Sequence, residues 1–194
     1  MNVRRFFPWL ATLALVLTAG AVQAQGRPDP AVAIAAQKQA LAKLSFMDGV
    51  WRGPAWTLLP SGDKHTITQT ERIGPFLDGA VKVIEGRGYD SSGNVTFNAF
   101  GIVSFDPAKT AYSMRSYTMG HAGDFALTPS DTGFVWMIPA GPTTIRYTAT
   151  VRDGKWREIG ERLAEGQPTV QFFEMNLVRV GDSKWPADGV IPPK

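Results

Sequence analysis

Hydrophobic and polar residues alternate in short segments along most of this chain. From Asp48 onward, segments of 6–11 residues rich in Val, Ile, Thr, Tyr, Phe and Trp alternate with turns rich in Gly, Pro, Asp and Ser, which is the pattern of strands joined by turns. The pattern predicts ten strands, near residues 49–59, 64–73, 80–89, 94–105, 111–118, 123–128, 133–139, 143–152, 155–164 and 169–180.

The links between these segments are short, and this determines how the strands pair. Asp153-Gly154, between Arg152 and Lys155, is typical of a two-residue hairpin turn. Short links make consecutive strands antiparallel neighbours, and ten strands in one sheet would leave long unpaired edges unless the sheet closes. The predicted fold class is therefore all-β, a closed antiparallel up-and-down β-barrel of about ten strands.

The residues before Asp48 follow different patterns. Arg4 and Arg5 precede an apolar stretch, and Val22-Gln23-Ala24 places small residues at the −3 and −1 positions of a cleavage site, which is the order of a secretory signal peptide. Further on, Asp29-Pro30 is a typical start for a short helix over 31–44. We expect a cleaved signal, a protein exported across the inner membrane to the periplasm, and no stable membrane insertion afterwards.

These patterns divide the chain into four parts. They are a signal peptide at 1–24, an N-terminal linker and helix at 25–44, the barrel domain at 45–181 and an irregular tail at 182–194.

The amino-acid composition excludes several kinds of site and partner. The 194 residues include no Cys, which excludes disulfides, thiolate metal sites and cysteine nucleophiles. The formal net charge of +3 falls to about +1 when the signal is lost, so we expect no nucleic-acid partner. Two His residues far apart in sequence and no calcium-loop spacing predict no metal site.

Both ends of the predicted barrel carry motifs of a known superfamily. Gly49-x-Trp51 opens the first strand, and Arg179 lies in the last one. Together with segment 73–79 and the order of strands, these motifs resemble the calycin group, which includes lipocalins, fatty-acid-binding proteins and nitrobindin-like barrels, and a lipocalin-like family of exported bacterial proteins. The resemblance covers roughly residues 42–181. It implies that Trp51 and Arg179 close the barrel base, with Arg179 stacked on Trp51.

A barrel of this size leaves room for one small ligand, so inward-facing polar and aromatic side chains are the candidate site. The predicted strands also contain acidic residues and arginines, which form either a buried ion pair or solvent-exposed cross-strand pairs on the outer surface of the barrel. Gly-flanked His121 could be a base, a haem ligand or a loop residue. The candidate ligand-binding residues are Glu85, Arg115, Tyr117, His121, Trp136, Tyr147 and Glu158.

No catalytic motif is present, so function follows from the predicted barrel. We expect it to bind a small hydrophobic or amphipathic molecule, without a cofactor. The alternatives are an isomerase- or lyase-type enzyme that uses His121, a haem-binding barrel, and a packed barrel that serves only in assembly. Nitrobindin-like barrels bind haem through a His near the C-terminal end, and residues 143–180 contain no His, which argues against haem.

Overall fold

The structure, a computed structural model, describes residues 29–186. The predicted signal peptide and the end of the predicted tail lie outside the described residues. The elements are one α-helix and ten strands: α1 (Pro30–Ala42), β1 (Gly49–Leu58), β2 (Lys64–Phe76), β3 (Val81–Tyr89), β4 (Val95–Asp106), β5 (Ala111–Thr118), β6 (His121–Ser130), β7 (Gly133–Ala140), β8 (Thr143–Arg152), β9 (Lys155–Ala164) and β10 (Val170–Gly181).

The ten strands form a closed antiparallel barrel in which every consecutive pair is hydrogen-bonded and β1 pairs with β10. This confirms the predicted fold class. Trp51 on β1 is in register with Glu71 on β2, which is in register with Gly86 on β3. Because side chains alternate between the two faces of a strand, these three residues and every second residue from them face the barrel interior.

The turn between β5 and β6 differs from the sequence prediction. We predicted a strand at 123–128, whereas β6 begins at His121, which pairs with Thr118. The link is only Met119-Gly120, and both residues have positive φ angles of 49° and 80°. Such a two-residue turn matches the twist of a hairpin, so pairing continues to the end of both strands.

Helix α1 covers one end of the barrel. The carboxylate of Asp29 accepts a hydrogen bond from the Ala31 N–H at 2.9 Å and caps the helix. On the inner side of the helix, Leu41 is buried, and the Tyr112 hydroxyl donates to the Ala40 carbonyl at 3.0 Å. The helix therefore seals the end at which β1 begins, which we call the closed end.

The core fills the closed half of the barrel. Its most deeply buried side chains are Trp51, Leu44, Met47, Ile73, Leu177 and Val103. The Trp51 ring meets the Trp156 ring edge-on, with centroids 5.7 Å apart, and its indole N–H donates to the Met47 carbonyl at 2.8 Å. Packing of this density leaves no room for a ligand there, so a site has to lie in the other half.

Among residues 29–186, no helix has the length and apolar character needed to cross a membrane.

Candidate functional site

The open half of the barrel has two different walls. On β6 to β10, the inward-facing side chains are large and aromatic. We call Phe125, Trp136, Tyr147, Phe172 and Phe173 the aromatic wall. On β3 to β6, many of the inward-facing residues are small, although Phe97 also faces inward, opposite Gly88. We call Gly86, Gly88, Ala99, Ser116 and Gly123 the small wall.

The aromatic wall is a connected set of rings. Trp136 and Tyr147 are stacked, with ring centroids 4.3 Å apart and planes 10° from parallel. Phe125 packs against Trp136 at 5.7 Å, and Tyr147 meets Phe172 and Phe173 at 5.9 and 5.8 Å. A β-bulge between Gln171 and Phe173 brings both phenylalanines to Tyr147. The rings form an apolar surface that is half-buried.

The small wall leaves space opposite these rings. Ala99 and Ser116 face inward in the middle of their strands, yet each is only half-buried. Over Gly123 the space is taken by the Phe125 ring, which a Cβ at Gly123 would approach to 2.6 Å. An inward-facing side chain in the middle of a closed barrel is accessible only through the lumen. The space between the small wall and the aromatic wall is therefore open to solvent from the end opposite α1. We call this space the cup.

Glu158 lies at the bottom of the aromatic wall, and each of its oxygens is hydrogen-bonded. The indole N–H of Trp136 donates to Oε1 at 3.1 Å, and that of Trp156 donates to Oε2 at 3.2 Å. Burial raises the pKa of Glu158 to about 7, although the two indole donors favour the charged form and act in the opposite direction. The side chain is held in one orientation at the floor of the cup.

Glu71 lies beside it on β2, also buried. The Gln69 side-chain amide donates to Glu71 Oε1 at 2.7 Å. The pKa of Glu71 is raised to about 8, chiefly by burial; the hydrogen bond from Gln69 lowers it, and the charges of Glu158 and Glu85 act in the same direction as burial. At neutral pH, Glu71 therefore holds a proton.

One oxygen of Glu71 and the hydroxyl of Tyr147 are left without hydrogen bonds. Within residues 29–186, every fully enclosed side-chain nitrogen or oxygen has a partner. Glu71 accepts only the bond from Gln69, at Oε1, and Tyr147 makes none among the described residues. Both free atoms therefore face accessible space. A ligand in the cup would find two hydrogen-bonding groups there that the protein itself does not use.

Two inward-facing glycines, Gly86 and Gly160, determine where the Glu71 and Tyr147 side chains lie. A Cβ at Gly86 would lie 2.8 Å from Glu71 Oε1, and a Cβ at Gly160 on β9 would lie 2.8 Å from the Tyr147 ring. Both distances are too short for a real side chain. The carboxyl and the phenol occupy their positions because the neighbouring strands carry no side chain there.

Three sequence-predicted site residues lie on the outer surface, away from the cup. Glu85 forms ion pairs with Arg72 and Arg87. Arg115 donates to the Tyr117 hydroxyl at 2.8 Å and pairs with Asp124. Such pairs on the outer wall of a barrel contribute little to stability, and they do not meet Trp136, Tyr147 or Glu158.

His121 is exposed at the open rim of the barrel, as is His65 on β2. The His121 side chain makes no hydrogen bond to the rest of the described chain. No group of three or more His, Asp or Glu side chains within 29–186 is placed to hold a metal ion. Of the predicted candidates, the structure brings together Trp136, Tyr147 and Glu158.

The barrel-base residues occupy the closed end. Trp51 is 1% exposed. Arg179 does not stack on it, in contrast to the contact that the resemblance implies. Its guanidinium instead donates to the Asp48 carbonyl at 3.1 Å and pairs with Asp182. Arg179 thus holds the backbone at the start of β1 rather than the Trp51 ring.

Two grooves lie outside the lumen. One of about 520 Å³ runs beside Arg52, Pro54 and Thr68 on the outer face of β1 and β2. Another of about 260 Å³ lies between α1 and the start of β3, where buried Lys82 pairs with Asp48. Neither groove combines aromatic surface with unused polar atoms, so the cup is the better candidate site.

Comparison with known proteins supports the architecture alone. No family model and no curated protein match this chain. Among the solved structures that match, that of Rv2717c from M. tuberculosis superimposes with a TM-score of 0.55 at 11% sequence identity, over 72% of this chain and 96% of that one. At this identity the match shows a shared barrel fold.

Proposed function

We propose that this barrel binds one small hydrophobic or amphipathic molecule in the cup. The proposal depends on one arrangement: the aromatic wall faces the small wall, and two polar atoms at the bottom of the space between them, Glu71 Oε2 and Tyr147 Oη, have no hydrogen-bond partner. Ligand sites are commonly apolar clefts with a few polar groups that orient the bound molecule, and the cup has this composition.

The energetics favour a ligand with an apolar body. The rings of Trp136, Tyr147 and Phe173 are half-buried, and covering apolar surface contributes roughly 25 cal/mol per Å². A ligand that places polar atoms near Glu71 and Tyr147 would also supply the missing hydrogen bonds. Each such bond contributes about 1 kcal/mol, which is enough to select one orientation.

The family and compartment remain part of the proposal. The Gly49-x-Trp51 opening and the ten-strand order support a lipocalin-like barrel. The basic, apolar and small-residue order of residues 1–24 supports export to the periplasm.

Native mass spectrometry of the protein purified from its own host tests the proposal. We expect a co-purifying small molecule, and its mass identifies the chemical class. An absorbance scan of the same sample examines the haem alternative, which predicts a Soret band that His121→Ala would abolish.

A matched pair of variants links binding to the cup. Ala99→Leu fills the space at the small wall, and Ala126→Leu adds the same side chain on the exposed outer face of β6. We expect the first variant to lose the bound molecule and the second to keep it. If both variants retain it equally, the ligand does not lie in the cup and the proposal is wrong.

A further inference from the structure

The acids at the floor of the cup have no cationic partner. Glu71 and Glu158 are buried, and their hydrogen-bond donors are a neutral amide and two indoles. Of the Lys and Arg residues on inward-facing positions, Lys82 and Arg179 pair with Asp48 and Asp182 at the closed end. Arg162 lies at the rim of the barrel, with its guanidinium 5.6 Å from the centroid of the Phe172 ring. The two acids at the floor of the cup therefore have no built-in counter-ion.

We propose that the molecule bound in the cup is an organic amine in its protonated form, with its ammonium group on Glu71 and its apolar body between the two walls. This inference rests on the proposed function, because it names the class of ligand for the same site. The free Oε2 atom supplies the acceptor, and Gly86 has no side chain, so the Glu71 carboxyl can lie directly against β3 at the small wall.

The surroundings of Glu71 favour a cation over other ligands. An ammonium group makes charge-assisted hydrogen bonds, which are roughly twice as strong as neutral ones. The faces of Trp136 and Tyr147 attract cations through their quadrupoles. A carboxylate group placed at the floor of the cup, in contrast, would meet two acids that have no paired cation, and like charges disfavour it.

Binding of such a ligand is coupled to the release of a proton. Burial and the charges of Glu158 and Glu85 raise the pKa of Glu71, and the hydrogen bond from Gln69 lowers it. Burial is also the main cause that raises the pKa of Tyr147 to about 12, and the charge of Glu158 acts in the same direction. Tyr147 stays neutral, whereas Glu71 has to ionise to pair with the ammonium. Amine affinity should therefore increase from pH 6 to about pH 8 and decrease near pH 10, where a typical amine loses its own proton.

Three probes of similar shape test the inference with the full chain. They are 2-phenylethylamine, 2-phenylethanol and 3-phenylpropionate, and isothermal titration calorimetry measures their binding. At pH 8 we expect the amine to bind about tenfold more tightly than the alcohol and the carboxylate most weakly. In two buffers with different ionisation enthalpies at pH 7, amine binding should release protons and alcohol binding should not.

Variants identify the group responsible. Glu71→Gln should reduce amine affinity to that of the alcohol and leave alcohol binding unchanged. Glu161→Gln, which removes an acid from the outer surface, should preserve the tenfold difference. Equal binding of amine and alcohol by the native protein, or no proton release, would overturn the inference.

The experiment also separates the two proposals. If no probe binds but a co-purified neutral or anionic compound does, and Ala99→Leu abolishes that binding, the cup is a ligand site and the amine inference is wrong. If no probe binds and Ala99→Leu leaves any bound compound in place, both proposals are wrong.

Discussion

Replacing Glu71 by Gln should remove a pH-dependent loss of stability from the barrel. Burial raises the pKa of Glu71 from 4.5 to about 8, so the folded state holds this proton more tightly than the unfolded state. The associated stability is fully present below about pH 4.5 and is lost as the pH rises to 8. At about 1.4 kcal/mol per pH unit, this interval corresponds to an upper limit on the order of 5 kcal/mol in unfolding free energy.

The Gln side chain isolates this effect because it has the same shape and does not titrate. Its carbonyl oxygen can still accept the hydrogen bond from Gln69. We therefore expect the unfolding free energies of the native protein and Glu71→Gln to agree within about 1 kcal/mol at pH 5. At pH 8.5, the variant should be more stable by several kcal/mol.

Urea unfolding followed by tryptophan fluorescence at pH 5, 6, 7, 8 and 8.5 measures this difference. Titrating groups that do not interact with Glu71 contribute equally to both proteins and cancel in the comparison, whereas the coupling of Glu71 to Glu158 and Glu85 is part of the measured difference. Glu161→Gln serves as the control, because Glu161 lies on the outer surface and pairs with Arg146 at 2.8 Å; its pH trend should follow that of the native protein. A difference between the native protein and Glu71→Gln that stays constant from pH 5 to 8.5, or that favours the native protein more as the pH rises, would refute the reasoning.

Two further predictions concern the packing of the barrel. Gly133→Ala should lower the unfolding free energy by about 3 kcal/mol, because the new Cβ would lie 2.0 Å from the Ala149 carbonyl oxygen. Gly181→Ala is the control and should cost little, since a Cβ at Gly181 would have no atom within 4 Å. Equal urea midpoints for the two variants would contradict this prediction. Trp51→Phe should lower the unfolding free energy by about 2–3 kcal/mol, because it removes the 2.8 Å hydrogen bond to the buried Met47 carbonyl and leaves a void. A decrease below about 0.5 kcal/mol in the same assay would show that this hydrogen bond does not stabilise the fold.

The fold could be predicted from local signals because each strand and turn carries its own. The Asp153-Gly154 turn is an example: both residues have positive φ angles, 52° and 68°, as the two-residue hairpin requires. The strand bounds differ from the predicted ones mainly at β6, where Met119 adopts a positive φ. A non-glycine residue rarely does so, and the sequence therefore favoured a longer turn there.

The faces of the strands could not be assigned from the sequence in the same way. On β3, Val81 and Val83 alternate with Lys82 and Gly86, and an apolar series normally faces the core. The structure has the reverse: Lys82 and Gly86 face inward. Val83 is nevertheless 4% exposed, because it is paired with Gly74 of β2, over which the tail of the chain lies. When a distant segment of the chain covers the outer face of a strand, the local sequence of that strand does not indicate it.

The same ambiguity explains why the residues of the candidate site were predicted only in part. Trp136, Tyr147 and Glu158 were predicted from residue type, whereas Glu85 was chosen instead of Glu71 because both are acids in strand interiors. The distinguishing signal is the neighbour: Glu71 is in register with Gly86, and glycine in a strand interior often marks the close approach of another group. Using that signal requires the strand register, which the sequence does not contain.

Glu71 is a poor structural residue, and this supports a role in binding. A Gln at the same position would keep the bond to Gln69 without the loss of stability as the pH rises, and an apolar residue would leave no unpaired oxygen. The carboxyl therefore contributes nothing to the fold that a neutral side chain would not, while it presents Oε2 to the cup. Buried acids with raised pKa values and unused hydrogen-bonding capacity are typical of functional sites. The molecule that we propose in the cup would supply the missing partner of Glu71 Oε2 and so account for a buried carboxyl at this position.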